Sequence, residues 1–242
     1  MKKILIIRQA QQSQALSQFL KQQNYQIFVE PLFIVKKIFN ENDWLQYRHK
    51  NISAIVITSQ NAIDSLKKFN CDFKMNIFAV GKKTALKLVE AGFVNVSFPK
   101  QSCVAELLKL IKKSNLDKTG AILYLRGENI SFDLQNSLQK SGYNCAEILT
   151  YKTIAKKSFS LQLLKNIKNV DYDSILIFSQ KTLELFFLLA KNHNLLEYFA
   201  NSSLIVFSQK IAIKAEELAK ENFKFKKIEK FSDNIILKNF YE

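Results

Sequence analysis

Small polar residues recur at the ends of short β-branched runs, and they are the side chains of this sequence best placed to meet an anion. Thr58, Ser59 and Asn61 follow the run Ile52 to Ile57, Ser102 follows Val94 to Phe98 at a short distance, and Ser131, Ser179, Ser208 and Ser232 hold similar positions further on. Each stands where a helix is expected to begin. A hydroxyl there is an ordinary N-cap, accepting from backbone N–H groups that have no helical partner. The same N–H groups bind carboxylates and phosphates when such a ligand is present. At this level both readings stand.

What is absent narrows the chemistry. Cys71, Cys103 and Cys145 are widely separated with no C-x-x-C pair, so neither a disulfide framework nor a zinc site is expected, and all three read as reduced, structural thiols. His49 and His193 are the only histidines, and each reads as a surface or packing residue rather than a general base. Gly81-Lys82-Lys83-Thr84 has a trace of a P-loop, but Asn76 stands where the upstream glycine is needed, and no G-x-G-x-x-G follows any apolar run. Nucleotide chemistry is disfavoured. So is RNA binding on an aromatic sheet face, because most of the 20 phenylalanines fall on expected core positions.

The formal net charge is +15, a potential that draws anions into a cleft and raises their local concentration. Nucleic acid and a polycarboxylate both qualify. The groups Lys82-Lys83, Lys156-Lys157 and Lys224-Lys226-Lys227 are dispersed rather than stacked on one helix, so a compositional bias toward lysine competes with functional steering. With 48% hydrophobic and 24% charged residues, the 242-residue chain reads as globular, with one large domain or two ordinary ones. The apolar run Ile4 to Ile7 is too short for a signal peptide and ends at Arg8. No stretch approaches the ~20 apolar residues of a membrane span, and a cytoplasmic address is expected.

The elements that must position these residues alternate along the chain. Ile4 to Ile7, Ile52 to Ile57, Ile77 to Val80, Val94 to Phe98, Ile122 to Leu125, Ser174 to Phe178 and Leu204 to Phe207 read as strands, with a weaker one near Phe225 to Ile228. Ser13 to Gln23 and Thr84 to Glu90 read as helices between them. Such alternation predicts an α/β protein of parallel βα units. A shift of 118 residues lays Ile4, Leu5, Arg8, Leu16, Leu20 and Tyr25 on Ile122, Leu123, Arg126, Leu134, Leu138 and Tyr143. Ile55 to Gln60 likewise resembles Ile175 to Gln180, and Lys83, Ala85 and Lys87 resemble Lys210, Ala212 and Lys214. The pattern predicts an internal duplication. Tyr25 to Val35 and Tyr143 to Ile154 exceed a typical strand of ~5–6 residues, so each is expected to begin in one domain and end in the other.

Five motifs then carry a resemblance. Ile4-Leu5-Ile6-Ile7-Arg8 with Ala15, Leu16, Phe19, Leu20 and Pro31-Leu32 resembles the opening of the uroporphyrinogen-III synthase family. Ile57-Thr58-Ser59-Gln60-Asn61-Ala62 resembles its Thr-Ser-x-Asn-Ala turn, and Phe78 to Ala85 its Ala-Val-Gly-x-x-Thr-Ala turn. Leu125-Arg126-Gly127 and Thr150-Tyr151-Lys152-Thr153 follow in the right order. The second half departs from the pattern: Phe178 stands for a threonine, and Ser208 and Ile211 for a glycine and a threonine.

The resemblance implies two similar lobes with helices on both sheet faces, joined by a two-strand connection. One lobe would comprise residues 1–34 with 153–242, the other 37–150, with 34–37 and 150–153 crossing between them. It implies closure of hydroxymethylbilane to uroporphyrinogen III, with loss of water and inversion of the terminal pyrrole, in haem biosynthesis. No metal or cofactor is implied, and a monomer is expected. The substrate would be a linear tetrapyrrole bearing eight carboxylates, which makes the positive charge intelligible without nucleic acid. Tyr151 becomes the candidate proton donor, since a phenol of pKa about 10 stays protonated at neutral pH; packing at the domain junction is its alternative role. Arg8, Thr58, Ser59, Asn61, Gly81, Thr84, Ser102, Arg126, Ser179, Gln180, Ser208 and Lys210 become candidate carboxylate contacts, with surface ion pairing the alternative for the two arginines. A non-catalytic anion-binding or regulatory protein on the same scaffold is the rival reading, and a nucleic-acid-binding protein a more distant one.

Overall fold

Strands buried on both faces are written as unbroken apolar runs, and in the computed structural model the runs at 4–7, 54–57, 121–125 and 175–177 lie at sheet centres. The structure describes residues 1–47, 49–69, 71–222, 225–233 and 237. The first half runs β1 (Lys3–Ile7), α1 (Ala10–Gln22), β2 (Gln26–Val29), β3 (Phe33–Lys37), α2 (Glu41–Leu45), β4 (Ile52–Ile57), α3 (Ile63–Lys68), β5 (Ile77–Ala79), α4 (Lys82–Glu90), β6 (Val96–Ser97) and α5 (Val104–Lys113). The second runs β7 (Ala121–Gly127), α6 (Leu134–Gln139), β8 (Asn144–Ala155), α7 (Leu161–Asn166), β9 (Ser174–Ile177), α8 (Gln180–Asn192), β10 (Ser203–Val206), α9 (Gln209–Asn222) and β11 (Lys227–Lys230).

Two compact units result. Met1–Ile34 with Ile154–Glu242 form a terminal unit, and Val35–Thr153 a middle unit. The chain passes between them within β3 and within β8, which are neighbours in one sheet. The terminal sheet has the order β11-β10-β9-β1-β2, every pairing parallel. The other has the order β3-β8-β7-β4-β5-β6, parallel from β8 to β6. Matching β1 with β7 and β9 with β4, as the repeat suggests, gives both sheets the same order of five strands.

Helices cover both faces of each sheet. In the terminal unit Leu5, Ile7, Ile175 and Ile177 pack with Leu163, Leu183, Phe186 and Ala215, while Ile4, Ile6, Leu176 and Ile205 pack with Leu16 and Leu20 of α1. In the middle unit Ile55, Ile57, Leu123 and Leu125 meet Ile63, Leu66, Ala85 and Leu88 of α3 and α4. Val56, Ile122 and Tyr124 meet Leu107, Ile111, Leu134 and Leu138 of α5 and α6. Glycine is scarce, and asparagine takes over at helix ends: Asn24, Asn115 and Asn194 have φ of 60°, 48° and 53°, the left-handed conformation that closes a helix.

Several boundaries differ from expectation. Tyr25 to Val35 is not one strand but β2 and β3, separated at Glu30-Pro31-Leu32, where Pro31 has no N–H for a ladder. Tyr143 to Ile154 does form one long strand, β8, of 12 residues. Val94 to Phe98 shrinks to the two-residue edge strand β6, and the last strand is displaced to Lys227–Lys230. Lys224 lies outside the described residues. Glu30, 2% exposed, accepts from the Ser160 N–H at 3.0 Å and the Ser160 hydroxyl at 2.5 Å, and pairs with Lys156 at 3.4 Å. It ties the start of α7 to the end of β2. Among the described residues no helix is long and apolar enough to cross a membrane.

Candidate functional site

Parallel strands deliver their carboxyl ends to one edge of a sheet, where α/β proteins collect ligands. In the middle unit that edge runs Tyr151, Gly127, Thr58 and Gly81, from β8, β7, β4 and the turn after β5. Tyr151 reaches its place through a β-bulge. Arg126 pairs with Leu149 but Gly127 pairs with Tyr151, leaving Thr150 as the extra residue. Side chains alternate along a strand, so one inserted residue moves everything after it to the other face. Ala146 and Ile148 lie on the face of α3 and α4; without the bulge Tyr151 would point away from them, and with it Tyr151 packs on that same face. Thr150 is fully buried, and its hydroxyl donates to the Arg126 carbonyl at 3.1 Å. Gly127 provides the room, because a Cβ there would lie 2.5 Å from Tyr151 Cζ and 2.8 Å from its hydroxyl.

The neighbouring residues fill different roles. The Thr58 hydroxyl is 3.2 Å from that of Tyr124, a buried phenol that desolvation pushes above its ordinary pKa against the smaller pull of this hydrogen bond. Ser59 accepts from the Asn61 N–H at 3.3 Å, capping a short turn over Gln60–Ala62. Gly81 caps α4 without a side chain, and Ser102 Oγ fills the space where its Cβ would be. Thr84 is buried in the first turn of α4. Arg126 is committed to the fold. One amino group pairs with Glu147 at 2.6 Å, and the other donates to the carbonyls of Gly127 at 2.9 Å and Glu128 at 3.1 Å.

The terminal unit presents Arg8, Ser179, Gln180, Ser208 and Lys210 at the corresponding edge of its own sheet. Ser179 caps α8, accepting from the Thr182 N–H at 3.2 Å. The Gln180 amide donates to Glu184 at 2.8 Å, and Ser208 accepts from the Ile211 N–H at 3.3 Å. Lys210 is exposed in the first turn of α9. Arg8 lies over Phe178, 4.4 Å from guanidinium carbon to ring centroid, and its Nε donates to Gln12 at 3.2 Å. Phe178 stacks on Phe207 at 4.1 Å and Phe207 on Phe231 at 4.7 Å.

One expectation is corrected here. Ser102 and Ser131 do not cap helices: Cys103 precedes α5, and the cap of α6 is the Asp133 carboxylate, which accepts from the Asn136 N–H at 3.0 Å. Phe178, Phe207 and Phe231 form a partly buried ladder across three strand ends, with Phe178 and Phe231 packed against the core of the terminal unit. The signal was a recurring dipeptide, Phe178-Ser179, Phe207-Ser208 and Phe231-Ser232. The thiols also differ among themselves. Burial raises Cys71 to about 11 and Cys145 to about 12, while Cys103 is exposed. Among the described residues no three His, Cys, Asp or Glu side chains group as metal ligands.

Known proteins share this fold. The chain spans its full length against uroporphyrinogen-III synthetase from Helicobacter pylori, at 18% identity, 98% coverage of that chain and a TM-score of 0.60. A mutant uroporphyrinogen III synthase from Thermus thermophilus aligns over 100% of this chain and 98% of its own, at 15% identity and a TM-score of 0.51. At such identities the likeness shows a shared fold. No curated protein matches in sequence. The family model for uroporphyrinogen-III synthase HemD, however, matches residues 2–227, a span that takes in both strand-end edges, and the chain belongs to that family.

Proposed function

We propose that this protein closes hydroxymethylbilane to uroporphyrinogen III without metal or cofactor. The family match from residue 2 to 227 carries the reading, and the mount of Tyr151 gives it a mechanism. Tyr151 donates its phenolic proton to the terminal hydroxyl of the substrate as the C–O bond breaks, and water leaves. Electrons from the adjacent pyrrole nitrogen assist that departure, so an acid stronger than a phenol is unnecessary. The carbon left electron-poor bonds to the far pyrrole at its substituted position, forming a spiro intermediate, and rearrangement closes the ring with that pyrrole inverted. Loss of a ring proton then restores aromaticity and returns a proton to Tyr151, so no proton is consumed overall.

Positioning is the other contribution. Folding a flexible chain until its ends meet is where oriented binding supplies several kcal/mol. Arg8, Lys210, the hydroxyls of Thr58, Ser59, Thr84, Ser102, Ser179 and Ser208, the amides of Asn61 and Gln180, and the backbone at Gly81 are the proposed carboxylate contacts. The charge of +15 favours entry of a polyanion. The test is to supply freshly generated hydroxymethylbilane, oxidise the product and identify the porphyrin isomer. The inverted isomer at a rate above the spontaneous reaction, unaffected by exhaustive chelation, is expected. The non-inverted isomer alone would overturn the proposal, and a chelation loss reversed by one metal would overturn its metal-free part.

A further inference from the structure

Two arginines stand at matching places in the two sheets, one residue beyond Ile7 of β1 and one residue before the end of β7, yet they are used differently. Arg126 has both amino groups committed to Glu147 and to backbone carbonyls. Arg8 has no carboxylate partner among the described residues. Its Nε is held by Gln12 and its guanidinium carbon sits over the Phe178 ring. What remains is the edge formed by the two terminal amino groups, the edge that takes a carboxylate in a two-pronged hydrogen bond.

We propose that Phe178, braced by Phe207 and Phe231, is a positioning residue that holds Arg8 as the carboxylate receptor of the terminal unit. The inference rests on the proposed function and assigns its substrate contact in this half of the molecule. A guanidinium lying on an aromatic face is attracted by the ring quadrupole. A long side chain fixed before the ligand arrives also loses less freedom on binding. Phe178 is itself constrained, with Arg8 over its ring and Phe207 stacked 4.1 Å from it. Phe231 lies 4.7 Å beyond Phe207 and backs it in turn. The matching position in the middle unit is Thr58, which bonds to Tyr124 instead. Phenylalanine in place of the family's threonine is thus a change of role: a hydroxyl is given up and a mount for arginine is gained.

A double-mutant cycle with Phe178→Leu and Arg8→Gln tests this, with Phe178→Tyr as the conservative variant. Phe178→Leu should raise KM for hydroxymethylbilane about two- to fivefold, the range of an exposed cation–π contact, with kcat nearly unchanged. It should add nothing on the Arg8→Gln background, and Phe178→Tyr should restore KM. Affinity for uroporphyrin III, an unreactive octacarboxylate followed by its fluorescence, should shift in parallel. An unchanged KM in folded Phe178→Leu, or an equal effect with and without Arg8, would overturn the inference. Failure of the wild-type protein to invert the ring would instead overturn the proposed function, and the uroporphyrin arm would still decide whether Arg8 and Phe178 act together on a carboxylate ligand.

Discussion

Gly127 and Tyr151 occupy one another's space: where any other residue at 127 would carry its Cβ, the phenol ring of Tyr151 lies within 2.5 to 2.8 Å of that point. Gly127→Ala should therefore push the ring aside. The ring is the free end of a side chain, so the expected cost in stability is below about 1.5 kcal/mol, the scale of an off-rotamer displacement. Catalysis should suffer more, since a misplaced donor cannot protonate. Thermal unfolding and turnover measured on one preparation separate the two effects.

Tyr151→Phe keeps the ring over Gly127 and deletes only the hydroxyl. A drop in kcat of about 10²–10⁴-fold with little change in KM is expected of a general acid. Ser59→Ala and Lys210→Ala should show the reverse pattern, a higher KM at similar kcat, because each weakens one anchor in ground and transition states alike. An unchanged kcat in Tyr151→Phe would move the source of catalysis to substrate folding alone.

Thr150 anchors the bulge that aims Tyr151. Replacing it with valine preserves shape but leaves the Arg126 carbonyl without the hydroxyl that meets it at 3.1 Å, at a cost of about 1–3 kcal/mol. Thr150→Ser keeps the bond. Valine should lower both stability and kcat while serine preserves kcat, and loss of kcat in both variants would show that the hydroxyl is not what holds the register.

Thiol chemistry offers an independent check on burial. At pH 8 a group with a pKa of about 12, as at Cys145, is roughly one part in ten thousand thiolate, the form that reacts. Cys71 is suppressed by the same cause to a lesser degree. Iodoacetamide should label exposed Cys103 in the folded protein and all three cysteines in urea, as read by intact mass. Fast native labelling at Cys145 would contradict its burial.

The central strands were legible because burial on both faces leaves no polar residue to interrupt them, as in Ile4 to Ile7 and Ile175 to Ile177. The aim of Tyr151 was not. Its direction depends on how β8 pairs with β7, and no local feature of Thr150-Tyr151-Lys152 announces an extra residue. Arg8 and Arg126 looked interchangeable at the 118-residue spacing, since what separates them is Glu147 on a neighbouring strand and Phe178 more than 150 positions away in the chain. The tie from Gln180 to Glu184 spans four residues of one helix and was readable in principle.

The terminal unit is assembled from chain made at different times. The Lys3 N–H meets the Asp173 carboxylate at 2.7 Å across 170 residues, and β1 pairs with β9 along four registers. At about 5–20 residues per second, a ribosome needs roughly 10–30 s to make the stretch between them. The middle unit, contiguous in the chain, can fold during that interval, while β1 and α1 wait with Ile4, Ile6, Leu16 and Leu20 uncovered by β9 and β10. Nascent β1–α1–β2 is thus the segment that waits longest for its neighbours, and the pairing of β9 with β1 is the step that joins the two ends of the chain in one sheet.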